Sequence, residues 1–454
     1  MLALALCFIA ALILLRFLSH PGGGVSCGLR RDGIERLEAR IAPAALTAKF
    51  GGGTLHISGD AITDEVAVVQ GGGVIEVFDG AVSLGRFSGV KHIKAELEGA
   101  TVMTADLASG GINGSLKVKA EGPTSVNVGI GSSIGRSLKF SGDSSDQILT
   151  LGEAVTLGKK LNFDGRKGID EFTIGASSVI SGKAHFREVE NGLFETASII
   201  TIRGHLDFKN AATSQAVNIS STGPAGLDVS GKLHYAGGKS NDSVFLAASF
   251  DGKAAFKDKS GSNDFGLGAN SVIHGKLHMS TGSGNDTFNF DGGTVDKDVK
   301  LDLGNGNNAV HYGLAAPVTI LRGLSIKTGS GSDVWQTDGS SMKIGRNLHV
   351  KLGDAVNVVS AIAQVDGEKV SIKAGRSADE IVIDGSAANA DIKVKLGHRD
   401  DGLGGSLFQL AQSAHFEGGK GIDHFFAGVV NANPVIIKSF EDFSPVVVVI
   451  ADEQ

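Results

Sequence analysis

The chain has only two cysteines, Cys7 and Cys27, and no thiol follows them. Disulfides, cysteine-based zinc sites and a cysteine nucleophile are therefore excluded from the body of the protein. A cysteine-free body is compatible with an exported bacterial protein. No strict Gly-X-Y period accompanies the 66 glycines, so collagen is excluded, and 41% hydrophobic residues are too many for a disordered chain. Neither sign of charge dominates: the formal net charge is −7, which gives nucleic acid or an anionic membrane no favour as a partner. Gly-x-Ser-x-Gly, His-Glu-x-x-His and P-loop signatures are missing as well.

One long apolar run exists, residues 2 to 15, ended by Arg16 and by His20-Pro21. As a helix it would span about 21 Å, short of the roughly 30 Å hydrocarbon core, so a signal-peptide core or short anchor is expected and export with it. The positive charges Arg16, Arg30 and Arg31 follow the run instead of preceding it, which leaves a later true start as an alternative. Cys27 in Gly-Val-Ser-Cys-Gly is a poor lipoprotein box, because Gly24 stands where leucine is wanted.

What the sequence does have is a repeat. An apolar residue opens each unit, alternation follows, then a glycine turn, then Asp or Asn nine residues on and a second alternating segment. From the middle of the chain the pairs are Leu233/Asp242, Ala255/Asp264, Leu277/Asp286, Val299/Asn308, Leu324/Asp333, Leu348/Asn357, Val370/Asp379, Ile392/Asp401 and Ala414/Asp423. Their steps are 22 residues, interrupted by one of 25 and one of 24. Upstream, Leu55/Asp64 and Leu161/Asp170 keep the same offset. Period-2 strands separated by glycine turns at a fixed spacing in the twenties predict an all-β parallel β-solenoid of about fifteen coils, right-handed by expectation. Stacked at about 4.8 Å, these would extend roughly 70 Å.

In the unit around Leu277, the alternation points Leu277, Met279, Phe288 and Phe290 inward and His278, Ser280, Thr287 and Asn289 outward. Gly282 and Gly284 are expected to supply positive-φ turn positions, and Asp286 to close the turn through backbone N–H groups. The expected division is a leader and sorting-like segment over 1–45, N-terminal β coils or a cap over 46–90, the solenoid over 91–430, and a C-terminal cap over 431–454. In that last segment Pro434 and Pro445 break the register.

Two resemblances bear on function. The segment Gly33-Ile-Glu-Arg-Leu37-Glu-Ala-Arg40-Ile-Ala-Pro-Ala resembles the Leu-Glu-x-Arg stretch near the start of large exported repeat proteins of planctomycetes and verrucomicrobia, which implies an export or surface-sorting route. The turns Gly282-Ser-Gly284-Asn-Asp286 and Gly329-Ser-Gly331-Ser-Asp333 resemble halves of the RTX calcium β-roll repeat. That resemblance implies calcium at turn carboxylates, with Asp242, Asp264, Asp286, Asp333 and Asp379 as candidates. Against it, the motif comes once per coil, Asn308 and Asn357 lack the charge, and Lys167, Lys239 and Lys420 place a cation in the loop.

Histidine recurs after the first apolar residue, as His56, His234, His278 and His349. His234 and His278 lie two coils apart, too far to share a zinc ion. Asp207, Asp302, Lys327 and Lys351 are the residues a carbohydrate-active β-helix would gather on one face; fold analogy is their only warrant. The expected function is a non-catalytic, exported structural or surface protein in adhesion or extracellular matrix, with surface polysaccharide or other surface proteins as partners. The membrane would be involved only through the leader. A calcium-binding module and a polysaccharide lyase or glycosidase are the alternatives.

Overall fold

A computed structural model of the chain describes residues 46–59, 64–210, 218–222, 226–313, 315–337, 341–387, 390–405, 412–426, 429–430, 435–443 and 447–448. The chain divides into residues 1–42 and 43–454, and the solenoid belongs to the second unit. The leader, Cys7, Cys27 and the Leu-Glu-Ala-Arg segment lie outside the described residues.

The described residues form strands and turns only, wound into a parallel β-solenoid of about 14 turns with a period of about 23 residues. Its first column runs from Thr54–Ser58 through Leu277–Ser280 to Val435–Lys438, every neighbour parallel and in register. The second column runs from Asp64–Gly71 through Thr287–Phe290 to Asp442–Phe443. A third, of strands two or three residues long, begins at Ser133–Ile134 and merges into the long strand Val358–Val365. Segments as short as Val179–Ile180 show no alternation, which is why the sequence pattern reveals two strands per coil where there are three.

Inside, alternation does what the pattern requires. Leu277, Met279, Phe288 and Phe290 are fully buried, and Phe140, Phe163, Phe186, Phe208, Tyr235 and Phe256 occupy one register position on successive strands. Phe186 stacks on Phe208 at 5.1 Å between ring centroids and on Phe172 of the second column at 4.0 Å. Aromatic pairs of this kind add to the burial of the rings themselves.

Three expectations change. The residue in register with Leu233 and Leu277 is Ala254, and Ala255 points outward between His234 and His278. The steps there are 21 and 23, a slip hidden by two adjacent alanines. Gly284 does take a positive φ, of 128°, but Gly282 is required for another reason: a Cβ there would lie 1.5 Å from the Lys259 carbonyl oxygen of the coil below. At the C-terminal end Val435–Lys438 keeps register with Ser413–Glu417, so Pro434 does not end the ladder. At the N-terminal end antiparallel strands flank the first coil: Thr47–Gly51 pairs with Thr54–Ser58, Val74–Asp79 with Asp64–Gly71, and Val82–Ser88 with Val74–Asp79. Such strands cover an edge that would otherwise invite pairing with another chain.

Candidate functional site

The turn between the first and second columns ends, in each coil, on one buried polar residue. From Asp242 these are Asn263, Asp286, Asn308, Asp333, Asn357, Asp379, Asp401 and Asp423, with the exposed Glu441 closing the series, and each oxygen accepts the backbone N–H of its predecessor one coil below at 2.7–3.1 Å. Gln147, Asp170 and Glu190 repeat the pattern earlier in the chain. The carboxylates thus serve the neighbouring coil, beyond the own-turn closure expected of Asp286; Asp379 and Asp401 do both, their Oδ2 atoms accepting from Gly375 and Gly397. Asn263, Asn308 and Asn357 are working members, because each Nδ2 donates to the next carboxylate at 2.7–2.8 Å. Asn and Asp alternate there, which separates the buried charges by a neutral donor.

One candidate calcium ligand falls outside this ladder. The buried position is Asn263, whereas Asp264 is exposed and accepts from the Asn289 Nδ2 at 2.9 Å. The error follows from the Ala254 slip, since neighbouring Asx residues make either register plausible. Asp242, Asp286, Asp333 and Asp379 are in the ladder, each with an oxygen held by N–H or O–H donors; Tyr235, for example, donates to Asp242 at 2.8 Å, while the buried Oδ2 atoms of Asp286 and Asp333 take no part in the ladder bonds. A second, outer series also satisfies the turns: Asn285 Oδ1 accepts from the Asn307 N–H and Asn307 Oδ1 from the Ser332 N–H. Calcium needs six to eight oxygen ligands. Among the described residues no three carboxylate or histidine side chains come together to supply such a set.

Burial raises the proton affinity of Asp286, Asp333 and Asp379 within the alternation, and raises it further where the alternation with Asn lapses. Burial, followed by repulsion from Glu190, pushes the Asp170 carboxyl up to about 8. Burial, with Asp379 and Asp423 as charged neighbours, pushes Asp401 up to about 7. Asp258 reaches about 8 through burial and its hydrogen bond to Asp242.

The outward face of the first column carries the remaining chemistry. His185, Asp207 and His234 are in register on three successive strands. Asp207 Oδ2 lies 2.8 Å from both the Lys183 Nζ and the His185 Nδ1, and its Oδ1 lies 2.9 Å from the His234 Nδ1. Although burial alone would raise its pKa, hydrogen bonds from Lys183 and His234 hold this carboxyl down at about 2. Asp302 is four rungs away, roughly 19 Å along the column, so the two aspartates cannot form the pair of a glycosidase, which needs about 5–9.5 Å. Asp302, Lys327 and Lys351 instead stack with each other on consecutive strands, with Lys327 3.4 Å from Asp302.

Among the described strands, lysine is concentrated on this face to a degree the overall charge conceals. Strands of the first column from Thr54 to Lys438 hold fourteen lysines and Arg187 against eight carboxylates, while the second column has no lysine at all among its described strands. The lysines sit at three different offsets from the apolar residue, so no single column of the sequence repeat exposes them. Protein-family models, curated proteins and solved structures were compared with this chain, and none matches it.

Proposed function

We propose that the chain is a non-catalytic structural solenoid of the cell surface or extracellular matrix, reached by export, with a role in adhesion. The observation that carries this reading is the continuous ladder from Asp242 to Asp423: buried polar groups, the ordinary raw material of an active site, are engaged here in tying each coil to the next. The aromatic stack beside it stiffens the same axis. Cell fractionation with protease shaving of intact cells tests it. Recovery of the protein in the surface or medium fraction is expected; a wholly cytoplasmic protein overturns the reading.

The Asp207 cluster favours a second reading, a carbohydrate-active enzyme. Its carboxylate orients two imidazoles through Nδ1, leaving each Nε2 as a potential base. A polysaccharide panel assayed with the protein and with Asp207→Asn decides: cleavage abolished by the substitution supports an enzyme, and no cleavage of any substrate removes it.

A further inference from the structure

Lys327, Lys351, Lys373 and Lys395 occupy one outward register position on four successive strands. Like charges directly opposite on adjacent strands are destabilising. Lys395 is paired with Glu417 and Lys327 with Asp302, but among the described residues Lys351 and Lys373 have no carboxylate within salt-bridge distance. Lys351, Lys373 and Lys395 line a groove of about 660 Å³ together with Arg376 and Lys420. Further down the same face Lys253, Lys276, Lys300, His278 and His349 line a groove of about 390 Å³. Burial, followed by repulsion from Lys257, Lys232, Lys276 and Lys300, holds Lys253 below the ordinary lysine value. Only part of this charge is neutralised within the protein, as in the Lys276–Asp298 pair at 2.9 Å.

We propose that the outward face of the first column binds an extended polyuronate, an acidic polysaccharide with one carboxylate on each sugar. The proposal rests on the surface reading above and names the partner of that surface. The match is geometric as well as electrostatic. Cations recur once per rung at about 4.8 Å, close to the length of one sugar in an extended chain, and the two grooves follow one another along eight rungs, or about 34 Å. Single-stranded nucleic acid is the competing polyanion, and it would need aromatic platforms for its bases. Here the rings of the first column from Phe140 to Phe256 are fully buried, leaving the outward face with imidazoles such as His278 and His349 in place of larger platforms. A charge-only contact also predicts steep weakening by salt.

The test uses the purified full chain and polygalacturonate, measured by calorimetry and affinity electrophoresis, with fully methyl-esterified polygalacturonate and single-stranded and duplex DNA as comparators. Binding to the free acid, loss on esterification and loss in high salt are expected. The double variant Lys351→Gln/Lys373→Gln should weaken binding roughly tenfold or more, while Lys343→Gln, on the third column, should leave it unchanged. Circular dichroism of each variant checks that the solenoid is intact. Absent binding at low salt, an intact double variant that binds as well as the parent, or tighter binding to DNA would overturn the proposal. Surface location is read separately by fractionation, so a surface protein that ignores polyuronate sinks only the ligand, and a cytoplasmic one that binds it sinks only the location.

Discussion

At the scale of single residues, the ladder shows how a buried carboxylate is made tolerable. Asn308 gives Asp333 an amide proton, and Asn357 gives one to Asp379, so each charge sits between donors. Asp401 has no such neighbour: it lies between Asp379 and Asp423, and its pKa rises to about 7. Such a carboxyl binds its proton more tightly folded than unfolded. Folding therefore takes up protons, and stability falls as pH rises from about 4, the ordinary carboxyl value, through the raised values. Asp401→Asn should raise the thermal midpoint at pH 8, and the gain should vanish by about pH 4; melting both proteins across that range checks it. Asp207 works in the opposite sense. Its depressed value near 2 means that its contribution is present at neutral pH and lost as pH drops below about 4. In the core, Phe186→Ala removes a ring stacked on both Phe172 and Phe208, and about 3–5 kcal/mol of stability should go with it in denaturant titration.

At the scale of the element, the turn is decided by backbone approach as much as by dihedral angle. Gly282→Ala should destabilise the solenoid by about 2 kcal/mol or more, because the new methyl meets the Lys259 carbonyl of the adjacent coil. An equal loss from Ser283→Ala, whose side chain is exposed, would show that the close approach is not the cause. Strand alternation around Leu277 was legible in the sequence because a period of two is a local property. The third strand of each coil was not legible, since two residues such as Val179 and Ile180 carry no period. Nor was the slip at Ala254, where Ala254-Ala255 and Asn263-Asp264 each offer two chemically similar neighbours; only pairing with Leu233 and Leu277 chooses between them.

At the scale of the whole solenoid, stability comes from rung-to-rung contacts, and the ladder N–H groups of the turns are met by protein oxygens. A chelator should therefore leave the melting midpoint unchanged. A fall in EDTA that calcium restores would show that turn carboxylates such as Asp286 and Asp333 exchange their amide donors for an ion. The segregation of lysine to one column is a property of this scale alone. In the linear chain the cations are spread over more than 300 residues between Lys94 and Lys438 and are outnumbered by acids overall. The sequence by itself determined that coils stack and, outside the coil that opens at Ala254, which side chains face inward and which turn position carries Asp or Asn, because all three follow from a fixed period and local alternation. Tertiary structure alone decided which residue one coil away accepts each N–H, that Asp207 collects two histidines and a lysine, and that the lysines share a face. Those are contacts between residues about 23 positions apart, and a displacement of one residue in the winding would have sent the same side chains elsewhere.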